Sequence, residues 1–279
     1  MRASDGLSLT GFVVTPAAPR ATIVWVHGFG VSYDLPQCTR LARSVAERGA
    51  AFVAAGLRSG HGAFTGWVKC AGRTTFARAG GWFEVFEESV LDLDAWIAHS
   101  SSSLGAPVVL AGHSLGALRA AYYAAQSTES VLHGLVLGSF SYGLRTLDAG
   151  IATQAEAMVA EGRGAELLPV GAWPRGFGTT TVSAQTYASW WRVAPGFFGE
   201  PATTLGAVRC PTFVWYGTKG DVGGPADLEW LAGRLAGASS VDSAMLDGVS
   251  HGYDGGEETI ATAICDRLTN LAGEVRANQ

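Results

Sequence analysis

One serine in the sequence lies in a pattern that suits covalent catalysis. The motif Gly-His-Ser-Leu-Gly spans residues 112–116, after the apolar run Val108–Ala111 and before the small-residue stretch Ala117–Ala125. A buried strand that turns sharply into a helix pushes the serine hydroxyl outward, and the glycines avoid clashes between a Cβ and nearby backbone. The pattern predicts that Ser114 is a nucleophile held in a strained turn.

Such a serine needs a base, and His251 is the histidine best placed to be one. It lies in a loop between the apolar segment Ala244–Leu246 and the C-terminal helical stretch. If residues 244–246 form a strand, this loop reaches the sheet edge that carries Ser114. The remaining histidines fall within motifs, in another loop, at a helix end or ahead of a strand: His27, His61, His99, His113 and His133.

The acid that orients this histidine is expected to be Asp221, just past the apolar run Thr212–Tyr216. A carboxylate there can accept an imidazole N–H, select the tautomer and stabilise the imidazolium. Asp221 also falls between the serine and the histidine in chain order, as in one known arrangement of the triad. Asp247 and Asp254 remain alternatives.

Two backbone amides are expected to form an oxyanion hole. Leu115 follows the nucleophile directly, and its N–H is the first donor that the turn would supply. The second donor is expected to be the N–H of Phe29, in the His-Gly-Phe-Gly loop at residues 27–30 after the strand-like run Ile23–Val26.

Apolar runs and helical periods alternate along the chain and predict the scaffold. Continuous apolar runs bounded by Gly or Pro indicate strands that are covered on both faces. Helical spacing of apolar residues between Phe83 and Ile97 predicts an amphipathic helix. This alternation is typical of an α/β protein with a mostly parallel sheet. The segment Leu7–Val14 is expected to add antiparallel strands at one edge. The runs taken as strands are Ile23–Val26, Phe52–Ala55, Val108–Ala111, Leu135–Leu137 and Thr212–Tyr216.

Residues 139–210 interrupt this rhythm and are expected to form a helical cap over a core made of 1–138 and 211–279. The segment shows no strand pattern and is too long for a plain loop. Helices are predicted over Ile151–Leu168, as one helix or two short ones, and over Ser183–Arg192. Aromatic residues crowd this segment: Trp173, Phe177, Tyr187, Trp190, Trp191, Phe197 and Phe198. Such residues form either the core of a cap or the wall of an apolar pocket. We expect Trp190, Trp191 and Phe198 to bind substrate.

The quoted motifs together resemble the α/β-hydrolase superfamily from Ile23 through His251. The resemblance implies an eight-stranded, mostly parallel sheet, a Ser-His-Asp triad that uses no cofactor, and a variable cap between the strand at Leu135 and the strand at Thr212. It also implies a serine hydrolase that cleaves an ester, thioester or amide through an acyl-enzyme, with the cap aromatics favouring a bulky apolar small molecule. A non-hydrolytic member of the same fold, such as a cyclase, acyltransferase or lyase, would carry the same motifs.

The composition limits the classes of partner and the cellular compartment that we expect for this protein. A net charge of −5, with no basic cluster, argues against nucleic acid. No apolar run approaches the length of a membrane span, and no secretory signal is evident at the N-terminus. Four scattered cysteines without a CxxC spacing argue against a metal site and favour a reducing, cytoplasmic location.

Overall fold

The computed structural model describes residues 1–62, 64–70, 72–127, 132–169 and 181–276. The strands in these ranges are β1 (Gly11–Val14), β2 (Thr22–Val26), β3 (Ala51–Ala55), β4 (Phe64–Cys70), β5 (Arg73–Ala79), β6 (Val108–His113), β7 (Leu132–Gly138), β8 (Thr212–Gly217) and β9 (Val241–Leu246). The α-helices are α1 (Pro36–Glu47), α2 (Ser89–Leu104), α3 (Leu115–Gln126), α4 (Ala149–Ala160), α5 (Ala184–Phe198), α6 (Thr203–Ala207), α7 (Pro225–Arg234) and α8 (Glu257–Arg276). Short 3₁₀ turns occur at Gly81–Phe83, Phe86–Glu88 and Gly143–Thr146.

The main sheet has the order β1-β3-β2-β6-β7-β8-β9. β1 runs antiparallel to β3, and every other neighbouring pair in this sheet is parallel. The carboxyl ends of the six parallel strands therefore meet at one edge, which is where open α/β sheets place their ligand sites.

The central strands are apolar on both sides because helices cover both faces of the sheet. All five residues of β2 are buried. Val24 and Val26 belong to one core cluster, which includes residues of α2 and α3. Ile23 and Trp25 belong to a second cluster, which includes residues of α1 and α8. This two-sided burial explains why the strands read as continuous apolar runs.

The predicted α/β class and the five predicted strands are confirmed, and the apolar segment Ala244–Leu246 lies within β9. The main sheet has seven strands in the described ranges, where the family resemblance implied eight. Ahead of β1, the pairing is reduced to one antiparallel bridge between Arg2 and Ser8. The intervening chain turns at Gly6, whose φ is +87°, and Gly6 N–H donates to the Ala3 carbonyl at 2.8 Å.

Two local features differ from the sequence-based expectation. β4 and β5 form a separate antiparallel hairpin, in register from Phe64 opposite Ala79 to Cys70 opposite Arg73. The amphipathic helix begins at Ser89, six residues later than its first predicted apolar position. Its predicted first turns are irregular because the Phe86 N–H is hydrogen-bonded to the Ser189 hydroxyl of α5, at 2.6 Å, instead of to a helical carbonyl.

Helices α4, α5 and α6 lie within residues 139–210. α4 ends at Ala160, before the left-handed Gly162, so the helix predicted over Ile151–Leu168 is shorter than expected. α5 extends the predicted helix through Phe198. Trp173 and Phe177 lie outside the described residues, and the division into core and cap stays a prediction. None of the helices in the described ranges combines the length and apolar character that crossing a membrane requires.

Candidate active site

Ser114 lies at the junction between β6 and α3, in a backbone conformation that is unusual for a residue with a side chain. Its φ is +57° and its ψ is −124°. Its N–H donates to the Gly138 carbonyl at 2.9 Å, and its carbonyl accepts from Ala117 N–H at 3.0 Å. These bonds to β7 and α3 hold the strained turn in place, as expected at a functional site.

The two glycines of the motif are required by close backbone contacts. A Cβ on Gly112 would lie 2.2 Å from the Gly116 carbonyl oxygen. A Cβ on Gly116 would lie 2.4 Å from the carbonyl oxygen of Val26, at the end of β2. Both distances are far below van der Waals contact, so α3 can approach the sheet this closely only without these side chains.

Asp221 and His251 are hydrogen-bonded to each other. Nδ1 of His251 lies 2.9 Å from Oδ1 of Asp221. The Asp221 side chain is fully buried, whereas that of His251 is 29% exposed. Because an ionised carboxylate only accepts, Nδ1 carries the proton and Nε2 is left as the basic nitrogen.

The two alternative carboxylates are engaged elsewhere. Asp247 accepts a hydrogen bond from the Thr218 hydroxyl at 3.0 Å. Asp254 is exposed and forms an ion pair with Arg40 of α1. Of the three candidate acids, Asp221 is therefore the one that the structure places on the His251 ring.

Four hydrogen bonds keep the Asp221 carboxyl group ionised in a buried place. Burial alone would raise its pKa, but donation from His251, Gly217 N–H, the Ser139 hydroxyl and Val222 N–H outweighs it and lowers the pKa. The Gly217, Ser139 and Val222 donors lie 2.7, 2.6 and 2.7 Å from the carboxylate oxygens. Ser139, which directly follows β7, was not identified from the sequence; its position just past a strand was the available signal.

Ser114 and His251 line the same cavity, which has a volume of about 200 Å³. Its described walls come from the loop after β2, the start of α1, the β6–α3 turn and the loop after β9: His27, Gly28, Phe29, Val31, Leu35, Gln37, His113, Ser114, His251, Gly252 and Tyr253. The structure thus brings together the predicted nucleophile, base and oxyanion loop.

The two residues that carry the predicted oxyanion donors lie next to Ser114 or in a loop close to it. Leu115 is the first residue of α3, where amide N–H groups have no acceptor within the helix. The loop carrying Phe29 passes so close to Ser114 that a Cβ on Gly28 would lie 3.1 Å from the Ser114 Cβ. His27 Nδ1 lies 2.9 Å from the Gly28 carbonyl oxygen and braces this loop.

Two buried histidines beside the site are neutral. Burial lowers the pKa of His27 and the pKa of His113 to about 3. The His113 ring stacks on Trp25 and Trp215, at centroid distances of 6.2 and 6.0 Å, and lies 5.0 Å from the His251 ring. His113 therefore supports His251, the predicted base, through packing.

The structure does not bring the three residues predicted to bind substrate to the described wall of the Ser114 cavity. Trp190 is fully buried and packs edge-on against Phe29, with ring centroids 5.6 Å apart. Trp191 and Phe198 line a separate cavity of about 240 Å³ together with Leu144. Trp190 and Phe198 instead pack α5 against other described elements, Trp190 against Phe29 and Phe198 against Phe140 and Trp230.

Comparison with known proteins places the chain in a family. A family model described as serine aminopeptidase, S33, matches residues 17–162, more than half of the chain. The protein therefore belongs to this family of serine hydrolases with the α/β-hydrolase fold. No curated protein sequence matches the chain.

Several solved structures share the fold along nearly the whole chain. Est1E from Butyrivibrio proteoclasticus, solved with ferulic acid bound, is 15% identical with a TM-score of 0.65, over 96% of this chain and 97% of that one. A monoacylglycerol lipase from Paleococcus ferrophilus is 18% identical with a TM-score of 0.63, over 95% and 99%. A soluble variant of the Saccharomyces cerevisiae monoglyceride lipase, in complex with a substrate analog, is 14% identical with a TM-score of 0.67, over 96% and 93%. At these identities the likeness establishes the fold alone.

Proposed function

We propose that this protein hydrolyses an ester or thioester of an apolar small molecule through an acyl-enzyme on Ser114. One observation carries the proposal: Ser114 shares a cavity with His251, whose ring is hydrogen-bonded to the buried, ionised Asp221. This is the set of groups that nucleophilic acyl transfer requires.

In the proposed reaction, His251 Nε2 takes the hydroxyl proton of Ser114 as the oxygen attacks the substrate carbonyl. The Leu115 and Phe29 amides donate to the oxyanion. The C–O or C–S bond to the leaving group then breaks, and the imidazolium gives its proton to that group. Water, activated by the same histidine, adds to the acyl-enzyme and releases the acid with the serine restored.

Charge in the cavity favours an ester over the amino terminus of a peptide. An aminopeptidase must hold a substrate ammonium group, and a carboxylate is the natural partner for it. None of the described residues that line the Ser114 cavity is Asp or Glu. A neutral ester needs no such partner, which is why we place esters and thioesters ahead of amides.

The cavity also limits the size of the acyl group. An apolar cavity of about 150 Å³ is known to hold one benzene molecule. The volume at Ser114, about 200 Å³, therefore fits a single ring or a short acyl chain. The ferulic acid in the Est1E structure is a one-ring acid bound to a protein of this fold.

We further propose that residues 139–210 act as a cap and that the protein works in the cytoplasm. Hydrogen bonds from α5 to the segment before α2 support the role as a cap. The Gln185 side-chain amide donates to the Phe83 carbonyl at 2.6 Å, and the Thr186 hydroxyl donates to the Glu84 carbonyl at 2.8 Å. Cys38 and Cys210, two described cysteines that form no disulfide, suit a reducing compartment.

The test is hydrolysis of p-nitrophenyl esters of increasing acyl length beside an aminoacyl p-nitroanilide. Turnover should be highest with short or single-ring acyl groups and low with the anilide. Ser114→Ala should abolish both turnover and covalent labelling by a fluorophosphonate, measured as intact mass, whereas Ser103→Ala, at an exposed position on α2, should retain both. Labelling that persists in Ser114→Ala would overturn the proposal.

Hydrolysis in ¹⁸O-labelled water separates a hydrolase from the alternative function. A hydrolase should place the ¹⁸O label in the released acid, whereas an unlabelled cyclic or transferred product would identify a non-hydrolytic enzyme.

A further inference from the structure

An ion pair that is closed to water lies beside the oxyanion loop. Nη2 of Arg119, on α3, lies 2.6 Å from Oε2 of Glu84, and the two side chains are 0% and 1% exposed. Oε1 of Glu84 accepts the indole N–H of Trp190 at 3.0 Å. Burying two charges is costly, so such a pair needs more than its own attraction to explain it.

Trp190 connects this ion pair to the ring of Phe29. Trp190 contacts that ring edge-on, and Glu84 holds the indole in place. Gly81, in the segment that carries Glu84, also lies close to this ring: a Cβ on Gly81 would lie 3.3 Å from Phe29 Cε2. The Phe29 ring therefore packs against an indole that Glu84 holds, beside the segment to which Glu84 belongs.

The backbone of the loop is held as well. Arg119 Nη1 donates to the His27 carbonyl at 3.4 Å, a long hydrogen bond. The next carbonyl, that of Gly28, accepts from His27 Nδ1 at 2.9 Å. Because a peptide unit is planar, the direction of the Gly28 carbonyl also sets the direction of the Phe29 N–H.

We infer that Glu84, Arg119 and Trp190 are positioning residues that orient the Phe29 amide toward the oxyanion. The inference rests on the proposed function, because it assumes an oxyanion at Ser114. A donor that points correctly before the reaction stabilises the transition state without helping the ground state to bind. Loss of this network should therefore lower kcat and leave KM unchanged.

The main variant is Trp190→Phe, which keeps an aromatic ring against Phe29 and removes the N–H that Glu84 accepts. Its matched control is Tyr187→Phe on the same helix. Tyr187 is equally buried, but its hydroxyl bonds the backbone of Asp148 beside α4. With a p-nitrophenyl ester, Trp190→Phe should lower kcat about tenfold with KM within about twofold, since complete loss of an oxyanion donor costs roughly 100- to 1000-fold. Tyr187→Phe should retain the parent kcat.

Arg119→Lys supplies a second, independent test. A lysine keeps the charge opposite Glu84 but lacks the two separate guanidinium nitrogens with which Arg119 reaches Glu84 and the His27 carbonyl. We expect kcat to fall, and affinity for a trifluoromethyl ketone inhibitor to fall by the same factor, because that adduct carries the oxyanion. The pH at which kcat/KM rises to half its maximum should not move, because these residues do not touch the described partners of His251.

The two proposals fail in different ways. If Trp190→Phe and Arg119→Lys match Tyr187→Phe in kcat and in inhibitor affinity while Ser114→Ala is inactive, the positioning role is wrong and the serine hydrolase stands. If Ser114→Ala keeps its activity, the proposed function itself is wrong. A rise in KM with unchanged kcat would assign these residues to substrate binding and would also overturn the inference.

Discussion

Asp221 and His251 are joined by a 2.9 Å hydrogen bond across the carboxyl ends of two neighbouring strands. Asp221 follows β8 and His251 follows β9, while the Ser139 hydroxyl after β7 donates to the same carboxylate. Three adjacent parallel strands therefore fix the direction of one imidazole ring. This explains why residues so far apart in sequence can work as one unit.

Asp221→Asn should lower kcat by about 10³- to 10⁴-fold, because an amide at this position favours the wrong tautomer of His251. Asp247→Asn is the matched control, since Asp247 bonds only Thr218 among the described contacts and should leave kcat unchanged. Steady-state kinetics with a p-nitrophenyl ester measures both. Equal losses of kcat in the two variants would show that Asp221 is not the acid that orients His251.

Gly116→Ala should destabilise the protein, because the new Cβ would lie 2.4 Å from the Val26 carbonyl oxygen. Forced overpacking of this kind costs about 1–3 kcal/mol or more of the free energy of unfolding. Gly206→Ala, in α6, is the control: apart from its chain neighbours and the backbone of its own helix, no described atom lies within 4 Å of the added Cβ, and alanine is the better helix former. Urea unfolding should rank Gly206→Ala at or above the parent and Gly116→Ala well below it. A stable Gly116→Ala variant with full activity would contradict the close packing of α3 on β2.

The sequence predicted the scaffold well where one physical signal dominated. Strands such as β2 are buried on both faces, so their identity follows from apolar residues alone. The glycines around Ser114 similarly marked a tight strand-to-helix turn. The hairpin of β4 and β5 lies outside the main sheet and lacks such an apolar run, so it was not identified.

Side-chain partners across distant segments were harder to predict. Nothing near Ser139 in sequence shows that its hydroxyl would reach Asp221, 82 residues away. The roles of the aromatic residues in 139–210 were also hard to predict, because the interior of a cap and the wall of a ligand pocket favour the same residue types. Trp190 is buried behind Phe29 because Glu84 accepts its N–H, and that contact depends on the tertiary fold.

Stability should fall as the pH drops below about 6.5. Burial lowers the pKa of both His27 and His113 from 6.5 to about 3. Between these values the unfolded chain binds a proton on each histidine that the folded chain does not, so acid favours unfolding. Each histidine should remove about 1.4 kcal/mol from the free energy of unfolding per pH unit across this window.

Urea unfolding at pH 7.5, 6.5 and 5.5 measures this slope. His113→Phe keeps a ring between Trp25 and Trp215. It should reduce the pH dependence of the free energy of unfolding by the contribution of one histidine. His99→Phe, at an exposed helical position, is the control and should keep the slope of the parent. A parent stability that stays constant down to pH 5.5 would show that these two histidines are not held neutral by burial.

Trp190→Ala and Trp191→Ala, neighbours on α5, should have different effects. Trp190 is fully buried, and removal of such a side chain costs about 3–5 kcal/mol of the free energy of unfolding. Trp191 is only half-buried and lines the cavity with Phe198 rather than the one at Ser114. Loss of the Trp191 side chain should cost less stability and leave KM within about twofold, because the Ser114 cavity keeps its described walls.

Thermal melting and KM for a p-nitrophenyl ester, measured on the same preparations, separate the two effects. A tenfold rise in KM for Trp191→Ala, without loss of stability, would instead show that the Trp191 cavity is part of the substrate site.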